Sequence, residues 1–127
     1  YNMETYYKYA KKCKQIASKL KREINKYKKK GYKVVGYGAA AKGNTFLNFA
    51  QIDLDYIVDD NELKWHLYTP GRNILIKSSQ ALKEEDPEKL VIIPLAWNFF
   101  DEISKRARDI TESDLTFIKY FPEVKIV

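Results

Sequence analysis

Two hydrophobic rhythms divide the chain, and the change falls at Gly31. Before it, Met3, Tyr6, Tyr7, Ala10, Cys13, Ile16, Ala17, Leu20, Ile24 and Tyr27 recur at steps of three and four, which places them on one face of a helix. Lys8, Lys11, Lys12, Lys14, Lys19, Lys21, Arg22 and Lys26 occupy the other faces. Asn2 is a candidate N-cap, and Gly31 a stop signal behind Lys28, Lys29 and Lys30, whose charges suit the negative end of the helix dipole. The spacing predicts one long amphipathic helix over residues 1–31, packed by its apolar stripe on the rest.

From Tyr32 the rhythm shortens into β-branched and aromatic runs. Tyr32–Gly38, Asp55–Asp60, Asn73–Ile76, Leu90–Pro94 and Thr116–Lys119 read as strands, with Val124–Val127 a last extended piece after Pro122. Helical stretches fall between them at Lys42–Ala50, Ser79–Lys83 and Phe99–Asp109. Strands apolar on both faces and separated by helices predict an α/β fold, a mostly parallel sheet of about five strands covered on both sides. No internal repeat or linker interrupts residues 32–127, so one domain carrying an N-terminal helix is expected.

The richest stretch for chemistry is Gly36-Tyr37-Gly38-Ala39-Ala40-Ala41-Lys42-Gly43-Asn44-Thr45, between a strand and a helix. Gly36, Gly38 and Ala41 fit the dinucleotide spacing G-x-G-x-x-G/A. Small residues there permit a tight turn and let backbone amides approach a phosphate at the helix N-terminus. Asp59 and Asp60 follow about 20 residues later, where an acid accepts hydrogen bonds from ribose hydroxyls. A nucleoside-triphosphate loop fails, because Asn44-Thr45 stands where Lys-Ser/Thr is required. Lys42 is either a point charge for a pyrophosphate or an exposed lysine at a helix start. A nicotinamide-dinucleotide module, regulatory or redox, is the alternative that these residues alone leave open.

Charge and composition narrow the partners. The net charge of +6 is uneven: residues 1–31 hold 11 Lys/Arg against Glu4 and Glu23, while residues 32–127 hold 12 against 15 acids. The basic helix therefore reads as a solvated face; no nucleic-acid partner is expected from a body that is net acidic. No apolar run approaches the ~20 residues of a membrane span, so no membrane partner is expected either. One cysteine, Cys13, cannot form an internal disulfide, which suits a reducing, cytoplasmic setting. With one Cys and one His (His66), a Cys/His zinc site is excluded. His66 has no visible partner for general-base work and reads as loop packing.

The glycine loop, Asp55-Tyr56-Ile57-Val58-Asp59-Asp60-Asn61, Tyr68-Thr69-Pro70-Gly71 and Trp97-Asn98-Phe99-Phe100-Asp101-Glu102-Ile103 together resemble the C-terminal domain of the sugar C-methyltransferases. The likeness runs from about Tyr32 to Val127, more loosely over the preceding helix. Trp65-His66 departs from the family's usual polar residue and glycine. The resemblance implies a Rossmann-like, doubly wound domain that binds a nucleotide-linked deoxysugar. It implies that the S-adenosylmethionine-binding domain is separate, in the same full-length chain. No cofactor is then expected on these residues alone, and no catalytic residue among them. A single glycine loop, preceded by a strand without an acid, agrees with that. The resemblance puts Lys42, Gly43 and Asn44 by the phosphates or sugar, Asp59, Asp60 and Asn61 at the second strand's end, and Tyr68, Pro70 and Gly71 in the loop above. Trp97 and Asn98 would face them after the fourth strand, Trp97 covering a base or filling core, Asn98 contacting ligand or capping a helix.

Overall fold

A computed structural model describes residues 3–127, apart from the side chain of Ala41; the expected cap at Asn2 lies outside the described residues. The chain runs α1 (Met3–Lys29), β1 (Lys33–Tyr37), α2 (Ala41–Ala50), β2 (Tyr56–Asp59), β3 (Ile76–Ser78), β4 (Leu90–Pro94), α3 (Phe100–Thr111), β5 (Thr116–Lys119) and β6 (Lys125–Ile126). Short 3₁₀ turns occupy Glu62–Lys64, Ser79–Glu84, Pro87–Lys89 and Trp97–Phe99. The expected helix at Ser79–Lys83 is therefore a 3₁₀ segment. The third strand starts at Ile76, because Tyr68 and Leu75 first form an antiparallel bridge.

The sheet order is β3-β2-β1-β4-β5-β6. The first five strands pair in parallel, and β6 runs antiparallel on β5. Gly36 lies beside Ile57 on one side and Ile93 on the other. The winding reverses between β1 and β4, so their carboxyl ends form the crevice where open α/β sheets take ligands. This is the mostly parallel α/β sheet read from the pattern, with one further strand, and the doubly wound order that the resemblance implied.

Two cores sandwich the sheet. On one face Leu20, Ile24, Val34, Leu47, Ile93 and Ile118 pack beneath α1 and α2. On the other Val35, Tyr37, Leu82, Ile92, Phe100, Ala107 and Phe117 pack beneath α3 and the Ser79–Glu84 segment. Each large side chain buried this way stabilises the fold by about 1.5–3 kcal/mol.

Only part of the α1 stripe reaches this core. Ile16, Ala17, Leu20 and Ile24 are buried, whereas Met3, Tyr6, Tyr7 and Tyr9 are exposed. Length explains the difference. A helix of 27 residues is about 40 Å long, while a five-residue strand spans only about 17 Å. The chain leaves α1 through Gly31 (φ 86°) into the amino end of β1, so α1 runs opposite to β1. Its first turns project past the carboxyl edge, where Lys12 Nζ lies 5.7 Å from the Phe121 ring centroid.

Two glycines of the loop are held by close packing. A Cβ on Gly43 would sit 2.8 Å from Leu95 Cβ, and one on Gly36 would sit 2.9 Å from Leu54 Cδ1 and 3.1 Å from both Ile57 Cγ1 and Leu95 Cδ1. Both are buried where α2, β1 and the segment after β4 converge. Gly36→Val forces side-chain bulk into that contact and is expected to lower the unfolding free energy by about 1–3 kcal/mol in urea titration. An unchanged midpoint and slope would remove the close approach from the account.

Candidate functional site at the sheet's carboxyl edge

Beyond Tyr37 the chain turns at Gly38, whose φ of 96° is strained for any residue with a side chain. Nothing lies within 4 Å of where its Cβ would be, so the turn opens to solvent. The Gly38 amide donates to Val58 O (2.8 Å), tying the turn to β2. The Ala39 amide donates to Asp59 Oδ2 (2.7 Å), and Asp59 Oδ1 accepts from the Asn61 amide (2.8 Å). Trp65 Nε1 donates to Asp59 O (2.7 Å), and Lys64 Nζ donates to Ala39 O (3.0 Å). Asp59 is thus a clamp: both carboxylate oxygens accept from backbone amides instead of facing ribose hydroxyls. The first amide after Gly38, expected to point outward, is occupied internally. Asn61 caps the Glu62–Lys64 turn through Leu63 N, which gives it a local role as well.

The open donors lie one step further along. Ala40 is the N-cap of α2 and offers no side-chain cap. The helix's first turn closes with Asn44 N donating to Ala40 O (3.0 Å), so the amides of Ala41, Lys42 and Gly43 precede any helical acceptor. Lys42 is exposed in that turn and makes no hydrogen bond or ion pair among the described residues. Asn44 is half-buried, with its Oδ1 unpartnered.

Asp60 is the carboxylate left at the opening. Its Oδ1 accepts from Tyr37 Oη (2.9 Å) and Ser79 Oγ (2.8 Å), and its Oδ2 pairs with Arg106 of α3. Partial burial alone would raise the Asp60 pKa, but hydrogen bonds from Arg106, Ser79 and Tyr37 overcome it and hold the group below the ordinary carboxylate range. Burial, then the hydrogen bond to Asp60, pushes the Tyr37 hydroxyl up, so it stays a donor at neutral pH. These groups border a cleft of about 240 Å³ lined by Tyr37, Gly38, Asp59, Asp60, Phe99, Glu102, Ile103 and Arg106. Phe99, Glu102 and Ile103 belong to the motif after the fourth strand but have no site role in the sequence reading, and Arg106 does not figure in it. Their i, i+4 spacing (Phe99 with Ile103, Glu102 with Arg106) was the signal, since it puts both pairs on one flank of the helix after β4.

The remaining expected residues disperse. Trp97 packs on Phe121 at 4.4 Å between centroids with the rings tilted by 37°, beside Lys12 of α1, so it neither fills the core nor lines the Gly38 cleft. Asn98 is exposed and caps neither the 3₁₀ turn nor α3 with its side chain. Pro70 and Gly71 pack on Asn48, late in α2: Asn48 Nδ2 donates to Pro70 O (3.1 Å), and Gly71 (φ 91°) leaves no room for a Cβ against the Asn48 amide. Arg72 then pairs with Asp53 beyond that helix. Tyr68 is exposed on the hairpin that carries them. The loop after β2 therefore splits, Lys64 and Trp65 joining the glycine turn and Pro70 and Gly71 lying against the far end of α2. Among the described residues no cluster of three His, Cys, Asp or Glu offers a metal site, and no helix is long and apolar enough to cross a membrane.

The depressed Asp60 pKa gives a pH dependence with a definite sign. A carboxylate with a lower pKa folded than unfolded stabilises the fold above its unfolded pKa, about 3.9, and loses that contribution as pH falls through the folded value. Wild type should therefore lose stability more steeply below about pH 4 than Asp60→Asn, measured by thermal unfolding across an acid series. Parallel profiles would mean that the Arg106–Asp60 pair contributes nothing.

The C-methyltransferase C-terminal domain family matches residues 1–122. The C-methyltransferase NovU of Streptomyces niveus is 25% identical over 125 residues, a match covering 96% of this chain and 29% of NovU. The chain thus spans less than a third of that relative's length. With the family matched from α1 through β5, a stretch that includes the glycine turn, Asp59 and α3, this chain belongs to the C-methyltransferase C-terminal domain family.

Proposed function

We propose that the chain is the substrate-holding domain of a sugar C-methyltransferase and binds a nucleotide-linked deoxysugar at the carboxyl edge of its sheet. The supporting observation is the first turn of α2, which has no side-chain cap and carries the exposed Lys42, at the reversal of strand order. A diphosphate suits that place. The helix N-terminus supplies directed N–H groups and a positive dipole end, and Lys42 adds a full charge. Gly38 keeps the approach free of side chains.

The methyl donor, S-adenosylmethionine, is assigned to a separate domain of the same full-length protein. It would supply an electrophilic methyl group for a carbon of the sugar. The residues here fit that cofactor poorly, because Asp59, the acid placed for adenosyl ribose hydroxyls, already accepts two backbone amides. The same occupation counts against a nicotinamide dinucleotide. This chain's part is to bind and orient. A cytoplasmic setting accords with the free Cys13.

Titration with a thymidine diphosphate-sugar should raise the melting temperature, by an amount that grows with ligand concentration. Removing one charge-assisted phosphate contact by Lys42→Ala should weaken binding about tenfold by calorimetry. No thermal shift at millimolar ligand, in a folded sample, would refute the reading.

A further inference from the structure

A separate pocket of about 280 Å³ opens at the opposite, amino edge of the sheet, where the ends of α1 and α2 meet the hairpin before β3. Its floor is Ile24 and Ile52, each 2% exposed. Lys21, Asn25 and Lys28 line one side; at i, i+4 and i+7 they form one stripe along α1 beside Ile24. Arg72 and Asp53 line the other. Asp53 takes the guanidinium side-on, accepting from Arg72 Nε (2.9 Å) and Nη2 (2.6 Å). That leaves Arg72 Nη1, and with it the end of the fork, without an acceptor among the described residues.

Three cations thus surround one carboxylate. The Arg72 hydrogen bond, with the charges of Arg72, Lys28 and Lys21, holds the Asp53 carboxyl below its ordinary range, so it stays ionised and the lining keeps a surplus of two positive charges. The helix ends do not use that surplus. At the end of α2 the Leu47 and Asn48 carbonyls accept from the Ile52 and Gln51 amides, and at the end of α1 the Tyr27 and Lys28 carbonyls accept from the amides of residues 30–32. Lys28 Nζ donates to Asp53 O (2.8 Å) and keeps two further protons, while Lys21 has no hydrogen bond or ion pair among the described residues.

We propose that this pocket binds a small dianion of the phosphate class. The free end of the Arg72 fork donates to two of its oxygens, a geometry that guanidinium and phosphate share. Lys21 and Lys28 supply point charges, Asn25 offers an amide donor, and the dianion cancels the surplus charge. The volume is below the roughly 300–1,000 Å³ that encloses a drug-sized ligand, which suits a small anion. The pocket stands a helix length, about 15 Å, from the first turn of α2, so it is independent of the nucleotide-sugar seat proposed above.

The test is a ¹H–¹⁵N NMR titration of the 127-residue chain with inorganic phosphate, against sodium chloride at matched ionic strength. Phosphate should produce saturable shifts at the Gln51, Ile52, Asp53 and Arg72 amides and at Arg72 Nε–Hε, and chloride should not. Shifts at Lys42 and Gly43 report the other seat, so the two sites are read separately in one experiment. Lys21→Gln, at an exposed position, should weaken phosphate about fivefold at the Gln51–Arg72 signals and leave any Lys42 response unchanged, whereas Lys21→Arg should retain affinity. Equal shifts with chloride, shifts that do not saturate, a response confined to Lys42 and Gly43, or a Lys21→Gln variant that binds as wild type does would each overturn the proposal.

Discussion

The carboxylate of Asp59 sets the shape of everything at the sheet's carboxyl edge. Its two oxygens fasten the amide that follows the Gly38 turn to the amide that begins the next loop, and its carbonyl receives the Trp65 indole. Hydrogen bonds to a charged, largely buried acceptor contribute about 1.5–3 kcal/mol each, more than neutral ones. That strength suits a turn that has to hold an unusual φ while leaving a cleft open on its outer side. The same clamp explains why the glycine loop resembles a dinucleotide fingerprint yet distributes its donors differently. The first amide is internal, and the amides that precede the first helical hydrogen bond fall in the first turn of α2.

Around that clamp each layer of the fold presents a different group. The α2 side offers amides and Lys42. The α3 side offers Phe99, Ile103 and the Asp60–Arg106 pair, which share a cleft with the turn itself. Leu95 lies beneath both, close enough to Gly36 and Gly43 that neither could carry a larger side chain without displacement. Tight packing below and open space above are two consequences of one run of small residues. The tyrosine network reinforces the pattern: Tyr120 Oη donates to Leu95 O (2.6 Å), and burial pushes its pKa up to about 12.

The strands and helices were legible because their signals are local. Period-two and continuous apolar runs marked the strands, Gly31 ended α1, and the β1–turn–α2 order was written in small residues. The Ser79–Glu84 segment escaped because a single turn leaves too little periodicity to separate α from 3₁₀ geometry. The start of β3 slipped because Asn73–Leu75 has the apolar content of a strand but pairs first within a hairpin. At the site, Gly38, Lys42 and the two acids were visible by spacing. Phe99 and Arg106 were not, since nothing in a single helix reveals which flank will meet a turn some sixty residues earlier.

Sequence alone determined the α/β class with its mostly parallel sheet, the separation of a basic helix from an acidic body, and the small-residue turn, all properties of neighbouring residues and their periods. Tertiary structure decided which donors and acids remain available. Asp59 turned inward because β2 sets it beside the Ala39 amide, Trp97 turned to Phe121, and Pro70 and Gly71 settled on Asn48. Hydrogen-bond satisfaction depends on which groups the folded chain brings within about 3 Å, and that proximity is not encoded in any one segment.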